Sequence, residues 1–207
     1  MMEPPQVNFF ISIRSHSIIK MPYILQGAKS MRIYVLGNGE SRRSFDLSSL
    51  KDEITIGCNA IYRDFAPTLL VAGDSPITKE IRENYKGDFL FRDGKNKRFV
   101  WENPIGNRVL VEAWPWTRSG FSWYAGVAAA WAAASWEGAS EVHLVGFDSM
   151  LPSHGKTVNN MYKDTRHYCA SDVAQNMALN VKQSRNSLME VISRFPKIKF
   201  ILAARQP

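Results

Sequence analysis

Five places in the chain carry residue types able to do chemistry. Gly37-Asn38-Gly39 closes the apolar run "YVL", and Asn59 follows Cys58 at the end of a second run. Asp74 and Asp148 close two more, the latter in Gly146-Phe147-Asp148. His154, Tyr162, His167 and Tyr168 gather in a polar stretch further on. Glycines let backbone N–H groups approach an anion, and a helix start behind them adds further donors. A side-chain amide such as Asn38 or Asn59 bonds a base, a ribose or the backbone. A histidine with a pKa near neutrality serves as a general base. A tyrosine hydroxyl can hydrogen-bond a departing phosphate. Each residue also has a plainer reading. The glycines make a tight turn, the asparagine holds a local turn, the aspartates cap the next helix or loop, and the histidines and tyrosines are solvated or packed. "GNGESR" lacks the third glycine of a dinucleotide fingerprint and the Gly-Lys-Ser/Thr of a P-loop.

The elements that must position these residues are legible from periodicity. Apolar β-rich runs at 32–37, 53–60, 67–74, 88–92, 107–114, 141–148 and 198–204 read as strands. Residues 75–85 read as a helix with Ser75 as N-cap and Pro76 at its first position. Residues 121–138 read as an alanine-rich helix closed by Gly138, and 171–195 as an amphipathic helix stopped by Pro196. Residues 93–98 read as a basic turn. Alternating strands and helices imply an α/β fold, Rossmann-like, with a mostly parallel sheet and helices on both faces. Such sheets bind ligands outside the carboxyl ends of their strands. Gly37–Gly39, Asn59, Asp74 and Gly146–Asp148 all fall there. The expected organisation is one domain over 31–207, with a small irregular lid at about 149–170. Residues 1–30 read as an extension from an upstream start or as an extra strand.

Bulk composition bounds the partners. A chain of 207 residues with 45% hydrophobic content suits one α/β domain. A net charge of +7 favours anionic ligands. No helix-turn-helix, zinc spacing or basic–aromatic interleaving points to nucleic acid. Two cysteines, Cys58 and Cys169, without metal spacing fit a reducing compartment, and a cytoplasmic location is expected. "VNFFISI" lacks a basic leader and a cleavage site, so no signal peptide is expected, nor a membrane span. No second carboxylate or histidine lies at ligand spacing from Asp148, so no metal is expected. Homo-oligomerisation stays open.

"YVLGNGESRRSFDLSSLKDEITIGCNAIYRDFAPTLLVAGD" resembles the N-terminal half of bacterial family-42 sialyltransferases, with their strand, G-N-G-P-S loop, "DLS.L" and strand ending in C-N. "SEVHLVGFD" is similar to their "KEIYLSGID" strand. Proteins like 6-hydroxymethylpterin diphosphokinase share similar loops. Uncharacterised proteins of marine tailed phages share GNGES, GCNA-YRDF, GFD, "N-YK-T-HY" and "FPKIKF" in the same order. The likeness covers about residues 31–203. It implies a metal-independent glycosyltransferase that takes a nucleotide-sugar, with CMP-sialic acid as the family's donor, and a glycan or other hydroxyl acceptor. It implies nucleotide contacts from Asn38 and Asn59 within the GNG and C-N motifs, and from Ser119-Gly120 at a helix start, with Ala125-Gly126 as the rival alignment. It implies that Tyr162 steadies the leaving phosphate and that His167 deprotonates the acceptor. Met150 replaces the family's first lid tyrosine, and Glu40 its proline. Two alternatives remain: a diphosphokinase-like phosphoryl transferase holding Mg²⁺ on Asp74 or Asp148, and a non-catalytic phage binding or structural module.

Overall fold

The computed structural model describes residues 30–93, 98–103, 108–111, 124–150, 159–168 and 177–203. Its strands are β1 (Met31–Leu36), β2 (Ile54–Cys58), β3 (Leu69–Ala72), β4 (Asp88–Asp93), β5 (Arg98–Glu102), β6 (Arg108–Val111), β7 (Ala139–Val145) and β8 (Lys199–Ala203). Its helices are α1 (Ser75–Asn84), α2 (Ala125–Ala134) and α3 (Met177–Arg194). The strands form one eight-stranded sheet in the order β6-β5-β4-β3-β2-β1-β7-β8. From β4 to β8 every neighbouring pair is parallel, while β4–β5 and β5–β6 are antiparallel. This is the expected Rossmann-like α/β fold.

Side-chain alternation along the strands explains the layers. Ile33 and Val35 of β1, Ile56 and Cys58 of β2, and Leu69 and Val71 of β3 join one buried cluster with α2 and α3. Leu36, Leu70 and Ala72 point the other way, onto Ile77 and Ile81 of α1. The strands are therefore apolar on both faces, as a covered parallel sheet requires. Helix α2 is buried all round except at Gly126. Its alanines let it sit between the sheet and α3, where Trp131 meets the Phe195 ring edge-on at 4.9 Å.

Several local expectations change. No α-helix follows the GNG loop; a 3-10 turn over Glu40–Ser44 does, and a second over Leu47–Leu50. Asp74, not Ser75, caps α1: its carbonyl accepts from the Thr78 N–H at 3.0 Å and hydroxyl at 2.8 Å. Residues 98–102, not anticipated as a strand, form β5 and turn the sheet antiparallel at that end. Arg98 and Glu102 hide the apolar centre Phe99–Trp101 from a hydropathy reading.

From β1 the sheet grows in one direction through β2, β3 and β4. The chain then crosses back to lay β7 and β8 on β1's other side. The loops leaving β1 and β7 thus diverge, and their carboxyl ends frame the crevice where such sheets take ligands.

Candidate functional site

Two loops are stitched together at that crevice. The Gly37 N–H donates to the Val145 carbonyl at 2.8 Å, and the Gly39 N–H to the Gly146 carbonyl at 2.9 Å. A Cβ on Gly37 would lie 2.6 Å from the Gly146 oxygen, and one on Gly39 2.5 Å from the Asp148 carboxyl carbon. Gly146 itself takes φ +71°, in the left-handed region. These glycines serve the close approach of one loop to the other.

The donors that follow the GNG turn are also committed. Glu40 N–H donates to Asn159 Oδ1 at 2.9 Å, and Arg42 N–H to the Gly39 carbonyl at 3.1 Å. Asp148, 4% exposed, accepts from the Ser41 N–H at 3.0 Å and from the Ser41 hydroxyl. The N–H groups of Gly37, Gly39, Glu40 and Ser41 are thus occupied within the protein, and a buried carboxylate sits beside them. The GNG loop packs as a tight turn whose three residues line the cleft described next. Asp148 anchors that turn through both carboxylate oxygens, and Asp74 starts α1 outside the cleft lining. Among the described residues no three His, Cys, Asp or Glu side chains group as a metal site would need.

A cleft of about 260 Å³ opens at the switch point. Gly37, Asn38, Gly39, Asn59, Gly146 and Asp148 line it, together with Phe147, Asn160, Ser184 and the start of α2. Asn38 Nδ2 donates to the Cys58 carbonyl at 3.1 Å and to the Tyr168 hydroxyl at 3.3 Å. A carbonyl only accepts, so this contact fixes which end of the amide is nitrogen. Asn38 Oδ1 is left buried with no hydrogen-bond partner, and so is Asn59 Oδ1. Asn59 takes φ +50°, which asparagine tolerates better than most residues. Both asparagines line the cleft, and buried acceptors of this kind are costly to leave unmet.

The N-terminus of α2 forms the facing wall through Tyr124, Ala125 and Gly126. No side chain caps it and its first turn holds no acid. The early N–H groups and the helix dipole favour an anion there. A Cβ on Gly126 would lie 3.2 Å from the Phe147 ring. The rival pair Ala125-Gly126 is thus in the cleft wall, while Ser119-Gly120 lies outside the described residues, as do His16, His154 and Cys169.

Tyr162 and His167 do not line the cleft. The Tyr162 hydroxyl donates to Asp64 at 2.6 Å and accepts from Arg42 at 3.0 Å, and the ring is 6% exposed in the apolar cluster under α1. Burial, then the bond to Asp64, raises its pKa. The expected contact of Tyr162 with a leaving phosphate meets a hydroxyl held outside the cleft lining, between Asp64 and a buried arginine. His167, at φ +67°, sets Nε2 3.6 Å from Glu80 of α1. Burial raises the Glu80 pKa, but hydrogen bonds from Tyr62 and Arg63 outweigh it and hold the carboxyl below its usual range. His143 lies in β7, 3.1 Å from Glu141 and against the Tyr34 ring. Burial pushes the Cys58 thiol up to about 12, which makes it a poor nucleophile.

Sequence reading missed the sharing of Asn38 and Ala60 by Tyr168, and the burial of Arg42 at 2% exposure. The only signal was the crowding of asparagine and tyrosine at 159–168, opposite the basic "ESRR". Comparison with known protein families, curated proteins and solved structures found no match.

Proposed function

We propose that the switch-point cleft binds a nucleotide or nucleotide-sugar and that the protein is a metal-independent glycosyltransferase of the sialyltransferase-like kind. The observation that carries the reading is the pair of asparagines lining the cleft at the carboxyl ends of β1 and β2, Asn38 and Asn59, each with a buried amide oxygen that no protein group pairs. They suit the amine and hydroxyl donors of a base and ribose. The N-terminus of α2 at Ala125-Gly126 suits the phosphate better than the GNG turn does, because no side chain caps it and its own first turn holds no acid. In this reading His167, whose Nε2 stands 3.6 Å from the Glu80 carboxylate, removes the proton from the acceptor hydroxyl.

A second reading has a specific observation in its favour. Tyr162 is tied to Asp64 and Arg42, and His167 to α1, which suits a nucleotide-binding module that performs no transfer.

A thermal-shift screen with CMP, UDP, GDP and ATP, their sugar conjugates and EDTA controls tests the shared part. Ligand at about 100 times Kd adds roughly 2.7 kcal/mol, or roughly 5–11 °C for this size of chain. A shift with CMP or a CMP-sugar that survives EDTA is the expected result. No shift with any nucleotide removes both readings. Turnover separates them: His167→Ala should abolish sugar transfer while leaving CMP affinity within about twofold.

A further inference from the structure

Resting on the nucleotide reading, we infer that Tyr168 is a positioning residue whose hydroxyl sets the spacing of the two asparagines in the cleft. It accepts from Asn38 Nδ2 at 3.3 Å and from the Ala60 N–H at 3.2 Å. The first donor belongs to the turn after β1. The second comes directly after Asn59, in the turn after β2. One phenol oxygen therefore ties both amide-bearing turns, and its two lone pairs suit two donors.

The rest of the geometry makes this brace consequential. The bond to Tyr168 uses the second hydrogen of the Asn38 amide, the first going to the Cys58 carbonyl. With both hydrogens held, the amide cannot rotate, and Oδ1 keeps one orientation. Ala60 N–H is the first donor beyond Asn59, whose φ of +50° needs support from its neighbours. The tyrosine is itself held. Its ring centroid lies 5.6 Å from that of Tyr162, and the Arg63 guanidinium stands 5.9 Å from it. Arg63 in turn bonds Thr165 and the Arg166 carbonyl, close to Tyr168 in the chain. Burial raises the Tyr168 pKa, so the hydroxyl stays neutral. Tyr168 does not line the cleft, and it acts through the residues that do.

Tyr168→Phe keeps the ring and removes only the brace. The probe is whichever of CMP, UDP, GDP and ATP binds the wild type most tightly, measured by calorimetry. The substitution should weaken binding about tenfold. A double-mutant cycle tells positioning from general softening. If Tyr168 acts through Asn38, Tyr168→Phe costs clearly less in an Asn38→Ala background than in the wild type. Losses that simply multiply, or unchanged affinity in Tyr168→Phe, overturn the inference and leave the nucleotide reading standing. If the wild type binds none of the four, the nucleotide reading falls separately. The brace is then read by NMR from the Asn38 side-chain amide. Loss of its protection from solvent exchange in Tyr168→Phe upholds the positioning role, and unchanged protection overturns it.

Discussion

At the scale of single residues, identity did not determine role. Tyr162 and Tyr168 are six positions apart in one short segment, and both hydroxyls are spent inside the protein. Tyr162 serves the Arg42 guanidinium, whose side chain is 1% exposed and whose ion pair among the described residues is a 3.3 Å contact to half-open Asp64. Removing the Tyr162 hydroxyl leaves that charge a poorer shell. Tyr162→Phe should cost about 1–3 kcal/mol in urea unfolding while leaving any CMP-induced thermal shift unchanged. A lost shift at unaltered stability would return Tyr162 to the ligand site. Glycine at 39 has a steric purpose. Gly39→Ala drives a methyl to 2.5 Å from the Asp148 carboxyl carbon and 2.6 Å from the Gly146 carbonyl. The expected loss is about 2 kcal/mol or more, because a buried carboxylate and a backbone carbonyl both have to shift. A drop below about 0.5 kcal/mol would show that the two loops are looser than this packing.

At the scale of elements, helix α1 does more than cover the sheet. Its Glu80 gathers Tyr62, Arg63 and His167, so it ties the turn after β2 to the segment 159–168. The Glu80 pKa is held below the ordinary 4.5 in the folded chain. A carboxyl depressed on folding contributes stability that is fully present above its unfolded pKa. That contribution fades as pH falls from about 4.5 through the lower folded value. Glu80→Gln should therefore be less stable than wild type at neutral pH, with the gap narrowing below about pH 4.5. Urea midpoints measured from pH 7 down to pH 3 check it, and a gap that stays constant or widens in acid contradicts it.

At the scale of the whole molecule, two apolar clusters lie on opposite faces of one sheet and share its central strands. Neither has strands of its own, so heat should unfold both in one transition. Coincident near- and far-ultraviolet circular dichroism melts are the expected result, and two separated melts would contradict a shared core. The strand positions, the covered parallel sheet and the strand-end location of Asn38, Asn59 and Asp148 were legible in the sequence. Continuous apolar runs bounded by turn residues report burial on both faces directly. β5 escaped because its flanking charges broke the apolar run, and the missing helix after β1 because a 3-10 turn carries no period of its own. The unpaired amide oxygens, the occupied N–H groups of the GNG turn and the partners of Tyr162, Tyr168 and His167 were settled only in the tertiary structure. Those contacts join residues up to 130 positions apart. What a polar side chain has left for a ligand depends on which distant groups have already taken its hydrogen bonds, and no local pattern records that.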